Sequence, residues 1–138
     1  MKHRRKPIRL KSGQDANQML LRQLLKNFIT RGKIVTTQAR AKALKSQAEQ
    51  LISTAKRESQ ATRSILLKKL ADKKISEMLV KEILPIFKDK NGGYLRSIRL
   101  NQRFSDGSAM VRLEWSKSVV LKKPETQKKK KAAQEKTK

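Results

Sequence analysis

Gly32-Lys33-Ile34-Val35-Thr36-Thr37-Gln38-Ala39-Arg40-Ala41-Lys42-Ala43-Leu44 contains the change of period that decides the fold. Gly32 stops the helical pattern ahead of it. Ile34, Val35, Thr36 and Thr37 are four consecutive β-branched residues, stiff at χ1 and suited to a strand. An alanine-rich run follows at once, and Thr37 stands where a side-chain oxygen can cap its first amides. A short strand over about 32–37 therefore separates two long helices. A lone strand leaves its amides and carbonyls without partners. The only other strand-like sequence lies near the C-terminus, so the end of the chain is expected to fold back and pair with this stretch.

On the N-terminal side, Met19, Leu20, Leu21, Leu24, Leu25, Phe28 and Ile29 give one wide apolar face from about Ala16 to Arg31, opposite Gln18, Arg22 and Lys26. Asp15 and Gln18 have the spacing of a capping box, and Gly32 is a natural C′ residue. On the C-terminal side, Ala41, Leu44, Ala48, Leu51, Ile52 and Ala55 keep the helical period from Gln38 to about Arg57. A third helix is expected from Ser59 to Leu70, with Ala61, Ile65, Leu66 and Leu70 inward. After a lysine-rich turn at Asp72-Lys73-Lys74, a fourth runs from Ile75 to about Leu84, where Pro85 ends or kinks it. Asn91-Gly92-Gly93 is the strongest loop signal. Leu95 to Leu100 reads as a strand with Ile98 and Leu100 on one face and Arg99 on the other. Ala109, Val111, Leu113 and Trp115 alternate with Met110, Arg112, Glu114 and Ser116, which makes a second strand over 109–116 with Trp115 inward. Asp106-Gly107 marks the turn of an arginine-bearing hairpin. The expected architecture is α+β in two layers, a small three-stranded sheet packed on about four helices.

Charge points to the partner. The chain has 138 residues, Lys+Arg 36 against Asp+Glu 11, and a formal net charge of +25. Met1–Lys11 and Lys122–Lys138 carry +6 each, which leaves +13 on the 110 residues between them. The expected organisation is a basic N-terminal arm over 1–11, one α+β domain over 12–121 and a disordered lysine-rich tail over 122–138. Such a charge repels itself and calls for a polyanion. With aromatic content of 4%, stacking on a single-stranded platform is a minor mode, and recognition of phosphate backbone and shape suits folded RNA. Arg40, Lys42 and Lys45 lie near the start of the second helix, where the macrodipole disfavours cations, which again suggests an anionic partner. Gly92-Gly93-Tyr94 with Arg96 and Arg99 offers a bare backbone beside a ring and two guanidinium groups.

Other chemistries have little to build on. Cysteine is absent, so disulfides and thiolate metal sites are excluded. His3 is the one histidine and has no second ligand or base beside it; Ser12, Ser105 and Ser116 have no histidine to activate them. No phosphate-cradling glycine motif occurs. No enzyme activity, cofactor or small-molecule substrate is expected. No apolar run reaches the roughly 20 residues of a membrane span, and no signal segment follows the basic start, so no membrane partner and a cytoplasmic location are expected.

The residues resemble a family. Met1-Lys2-His3-Arg4, then Ile34, Thr36-Thr37, Arg40-Ala41-Lys42, Ala48-Glu49-x-Leu51-Ile52 with Ala55-Lys56, and finally Gly92-Gly93-Tyr94 with Arg96, are similar, in order and spacing, to the bacterial ribosomal large-subunit protein seventeen family. The resemblance covers about residues 1 to 115. It implies a structural protein on large-subunit ribosomal RNA, beside neighbouring proteins that include the small large-subunit protein thirty-two, on the side where the exit tunnel opens. Two departures stand out: Ala16-Asn17 replaces the family's His-Arg pair, and Asp106-Gly107 reverses its Gly-Asp step. The RNA-contacting residues this reading assigns are Lys2, His3, Arg4, Arg5, Lys6, Arg9 and Lys11 in the arm, Thr36, Thr37, Arg40 and Lys42 at the strand–helix junction, and Gly92, Gly93, Tyr94, Arg96, Arg99 and Arg103 in the C-terminal part. The alternative is a nucleoid-associated DNA-binding protein, which lacks a recognisable recognition helix or minor-groove wedge here.

Overall fold

The computed structural model describes residues 13–57 and 59–119. The basic arm and the lysine-rich tail read from the sequence lie outside the described residues. Four α-helices and three strands follow the order α1 (Gln14–Arg31), β1 (Lys33–Thr37), α2 (Gln38–Ala55), α3 (Gln60–Leu70), α4 (Lys73–Met78), β2 (Leu95–Gln102) and β3 (Ala109–Trp115). Between α4 and β2 the helix widens into a π turn over Leu79–Ile83 and then tightens into a 3-10 turn over Leu84–Phe87. The fold is α+β, as the change of period around Gly32–Leu44 predicts.

The end of the chain does return to the first strand. β3 is central, with β1 and β2 antiparallel on either side of it. Lys33 pairs with Glu114 and Thr37 with Met110 on one edge, while Leu95 pairs with Trp115 and Arg99 with Val111 on the other. A register shift interrupts β2 between Arg99 and Gln102. Val111, Leu113 and Trp115 point into the core, as their alternation requires.

The core is built on rings and alanines. Trp115 lies 4.4 Å from Phe28 of α1 and 5.7 Å from Phe87, and Phe87 meets Tyr94 edge-on at 5.6 Å between centroids. Ala41, Ala48 and Ala55 on α2 are buried together with Leu44, Leu51 and Ile52. Their small side chains let the helix lie close under the sheet, where one stripe of methyl groups removes apolar area from water.

Several local expectations need correction. α1 starts at Gln14, with Gly13 at its N-cap; Asp15 sits inside the first turn, where its charge meets the dipole instead of forming a capping box. Met19 is exposed, because the inward stripe narrows to Leu25, Phe28 and Ile29. Gly32 closes α1 as expected, at φ 75° with its N–H on the Phe28 carbonyl. Thr37 occupies the N-cap of α2 without making a side-chain cap bond. On α3 the inward residues are Thr62, Leu66 and Leu70, spaced by four; Ala61 and Ile65 are exposed. Ser59 is its N-cap and accepts the Thr62 N–H at 3.2 Å. The Asp72-Lys73-Lys74 turn is instead the start of α4: Asp72 caps it by accepting from the amides of Lys74 (3.0 Å) and Ile75 (3.4 Å). Pro85 does disturb the fourth helix, since it offers no amide to the ladder and crowds the preceding turn, and the ladder changes to π and then 3-10 spacing around it. Ile98 and Leu100 do oppose Arg99, but on the face of the sheet away from the helices, because Ile98 pairs with Arg112 and Arg99 with Val111.

Candidate nucleic-acid interface

The sheet register divides the sequence-predicted contacts between two ends of the molecule. At one end, Thr37 closes β1 beside Met110, α2 begins, and the hairpin 103–108 turns. At the other, Lys33 faces Glu114, Arg96 faces Glu114 from the opposite edge, and Gly92-Gly93 leads into β2. Arg96 and Gln102 are six positions apart, so the ends lie about 20 Å apart along the strands.

At the first end, Arg40 and Lys42 are exposed, and neither makes an ion pair or hydrogen bond among the described residues. Among the described residues the first turn of α2 holds no acid, and Thr37 at its N-cap makes no side-chain bond to its amides. Unsatisfied N–H groups, the positive end of the dipole and two cations therefore add in one place. Arg99 is exposed near this end, on the edge strand, and is likewise unpaired among the described residues. Thr37 is half-buried here. Thr36 is buried on the inner face.

At the second end, Gly92 and Gly93 are exposed, with open space where a Cβ would stand at either. Gly93 takes φ +63°, the left-handed turn a glycine supplies without strain. Tyr94 is a correction: its side chain is buried against Phe87, and Lys56 Nζ stands 5.0 Å above its ring. The ring belongs to the core and leaves the surface to the glycines. Arg96 is exposed and bonded to Glu114, whose other oxygen lies 3.4 Å from Arg112 Nε. Two guanidinium groups on one carboxylate keep an excess positive charge on the outer face of the sheet.

Arg103 is exposed and is bonded within its own hairpin. Its Nε donates to Asp106 Oδ1 at 2.8 Å, and its Nη2 pairs with Oδ2 of the same carboxylate. Those hydrogen bonds, with others from Ser108, hold the Asp106 carboxyl well below the usual carboxylate range. Arg103 therefore fastens its own loop.

Other cations are used internally, which the sequence pattern does not reveal. Arg22 donates to the carbonyl of Lys69 at 3.2 Å and so caps α3 from α1. Lys56 donates to the carbonyl of Lys88 at 3.2 Å and also reaches that of Lys90, holding the turn before the glycines. Lys117 donates to the carbonyl of Ile86 at 3.2 Å. Among the described residues, no group of three His, Cys, Asp or Glu side chains is placed to hold a metal ion. No helix among them is long and apolar enough to cross a membrane. Lys2, His3, Arg4, Arg5, Lys6, Arg9 and Lys11 lie outside the described residues.

Comparison with known proteins identifies the family. The profile of the family described as Ribosomal protein L17 matches residues 20–116. The chain is 35% identical over 116 residues to the large ribosomal subunit protein bL17 of Sulfurihydrogenibium sp. (strain YO3AOP1), covering 83% of this chain and 96% of that protein. It is 35% identical over 120 residues to the bL17 of Methylacidiphilum infernorum (isolate V4), covering 87% and 92%. To the bL17 of Moorella thermoacetica (strain ATCC 39073 / JCM 9320) it is 43% identical over 96 residues, covering 70% and 86%.

Proposed function

The chain belongs to the ribosomal protein L17 family, and from that premise we propose that it is a structural, non-enzymatic constituent of the large ribosomal subunit that binds ribosomal RNA through phosphate backbone and shape. The observation that carries the RNA-binding part is the end of the sheet where Arg40 and Lys42 stand exposed and unpaired beside the uncapped start of α2. Exposed cations without acids nearby repel one another until a polyanion neutralises them, and backbone amides at a helix start suit phosphate. Thr37 and Arg99 extend this contact, Gly92, Gly93 and Arg96 make a second one at the opposite end, and the basic arm from Lys2 to Lys11 makes a third. Tyr94, Thr36 and Arg103 act behind this surface, in the core and in the loop. Partners are the large-subunit RNA and neighbouring large-subunit proteins, with protein thirty-two the one the family resemblance names. The place of action is the ribosome, in the cytoplasm.

Sedimentation of a cell lysate through sucrose tests this. The protein is expected to run with the large subunit and to leave it as salt is raised. Migration with DNA or with membranes overturns the reading.

A further inference from the structure

Of the five aromatic residues in the chain, Phe28, Phe87, Tyr94 and Trp115 are buried in one core, while Phe104 is fully exposed at the tip of the β2–β3 hairpin. Single exposed apolar residues are common on protein surfaces. The scaffold distinguishes this one. Arg103 N–H donates to the Ser108 carbonyl at 2.9 Å, and Gly107 N–H to the Arg103 carbonyl at 2.8 Å. The Asp106 carboxylate accepts from Arg103 Nε and Ser108 Oγ, each at 2.8 Å, and from Ser108 N–H at 3.2 Å. Gly107 takes φ +62° to complete the turn. Arg103, Asp106, Gly107 and Ser108 are thus tied together, and the Phe104 ring stands outside them in solvent. A loop already bonded together avoids the ordering cost that a mobile loop would meet on binding.

The surroundings select the kind of partner. The ring's neighbours along the hairpin, Gln102, Arg103, Ser105 and Asp106, are polar and exposed. The strand register puts this tip at the same end of the sheet as Arg40, Lys42 and the start of α2. A ring face beside unpaired cations suits a nucleobase: stacking uses the ring whatever the base, and the cations neutralise the adjoining phosphates. We propose that Phe104 is a stacking anchor, set by the Arg103–Asp106–Ser108 loop against an unpaired base of the large-subunit RNA. This inference rests on the rRNA-binding reading above.

The test is photo-crosslinking in assembled subunits, with the full-length chain carrying Phe104→p-benzoylphenylalanine. The expected product is an adduct with one short stretch of large-subunit RNA. An adduct with a ribosomal protein, or none, overturns the anchor. The same analogue at Arg40 separates the two levels of the argument. An RNA adduct at Arg40 with none at Phe104 removes the anchor and leaves the rRNA-binding reading intact; absence of the wild-type protein from the large subunit removes both. Full-length Phe104→Ala is further expected to bind large subunits stripped of this protein roughly 5- to 150-fold more weakly, the range of one lost base–aromatic stack. Phe104→Trp should retain the affinity, and both variants should melt with the wild type because the side chain packs on nothing. Wild-type affinity in Phe104→Ala, or a Phe104→Trp as weak as it, overturns the proposal.

Discussion

Replacing Trp115 by alanine tests the two-layer packing directly. The side chain is 6% exposed and joins the central strand to α1 through Phe28, at 4.4 Å, and to the 3-10 turn through Phe87, at 5.7 Å. Truncating a buried Phe or Trp costs about 3–5 kcal/mol. The expectation falls at the lower end because the indole N–H is buried without a hydrogen-bond partner among the described residues, so its removal returns about 1 kcal/mol or more of desolvation cost. The net cost is therefore about 3 kcal/mol. For a chain of this length each kcal/mol moves the midpoint by roughly 3–6 °C, so Tm should fall by roughly 9–18 °C. Trp115→Phe keeps a ring and discards the unpartnered N–H; it should cost less than about 1.5 kcal/mol. Arg112→Ala is the control, because Arg112 lies on the outer face in a surface ion pair with Glu114, worth about 0–1 kcal/mol. Circular dichroism should follow the melts, since Trp115 is the only tryptophan and its fluorescence is lost with it. Equal midpoints for Trp115→Ala and Arg112→Ala would refute the assignment of faces. A Trp115→Phe variant as unstable as Trp115→Ala would refute the weight given to the N–H.

Four further outcomes follow from the surface. The Asp106 carboxyl is depressed chiefly by the Arg103 hydrogen bond and then by Ser108, so the order it lends the hairpin tip is present above the unfolded carboxyl value, near 4, and fades as pH falls below it; the exchange protection of the Gly107 amide should drop in that window, and Asp106→Asn should show the drop already at pH 7. Gly93→Ala should cost about 1–2 kcal/mol, because alanine is strained at φ +63°, whereas Gly92→Ala meets open space and should stay within about 0.5 kcal/mol of wild type. Gly92→Val should nevertheless bind large-subunit RNA more weakly, and full binding by that folded variant removes the glycine loop from the interface. Neutralising Arg40 and Lys42 together should make the slope of log K against log salt shallower by roughly 1–2 for contact with large-subunit RNA, and an unchanged slope means that they face solvent.

What could be read from the sequence, and what could not, divides along one physical line. Periodicity reports a residue's neighbours in its own element, so the strand at Ile34–Thr37, the stripe Ala41–Leu44–Ala48 and the alternation Val111–Leu113–Trp115 are legible in advance. Choices made by another element are not. Ile98 and Leu100 alternate correctly with Arg99, yet alternation does not say which face the helices cover, and β2 turns them outward. Ile65 looks like core, but α3 is rotated so that Thr62 is buried instead. The same limit governs the site. Arg22, Lys56 and Lys117 resemble any other surface cation in the sequence, and only the fold shows that they hold carbonyls of distant turns.

The aromatics show the limit most clearly. Tyr94 follows two glycines and precedes Arg96, so its sequence context reads as a surface contact. The core claims it because Phe87 of the preceding 3-10 turn and Lys56 at the end of α2, 38 positions away, converge on its ring. Phe104 stands in a loop, where no period exists to assign a face. One signal was available: a lone ring among Gln102, Arg103, Ser105, Asp106 and Gly107, in a chain whose other rings lie in or beside apolar runs. A small basic domain with five aromatics needs most of them to cement its core, since its many lysines and arginines contribute little apolar volume there. A ring withheld from that core and carried on a bonded loop, beside cations unpaired among the described residues, is the feature on which the proposed stacking contact rests.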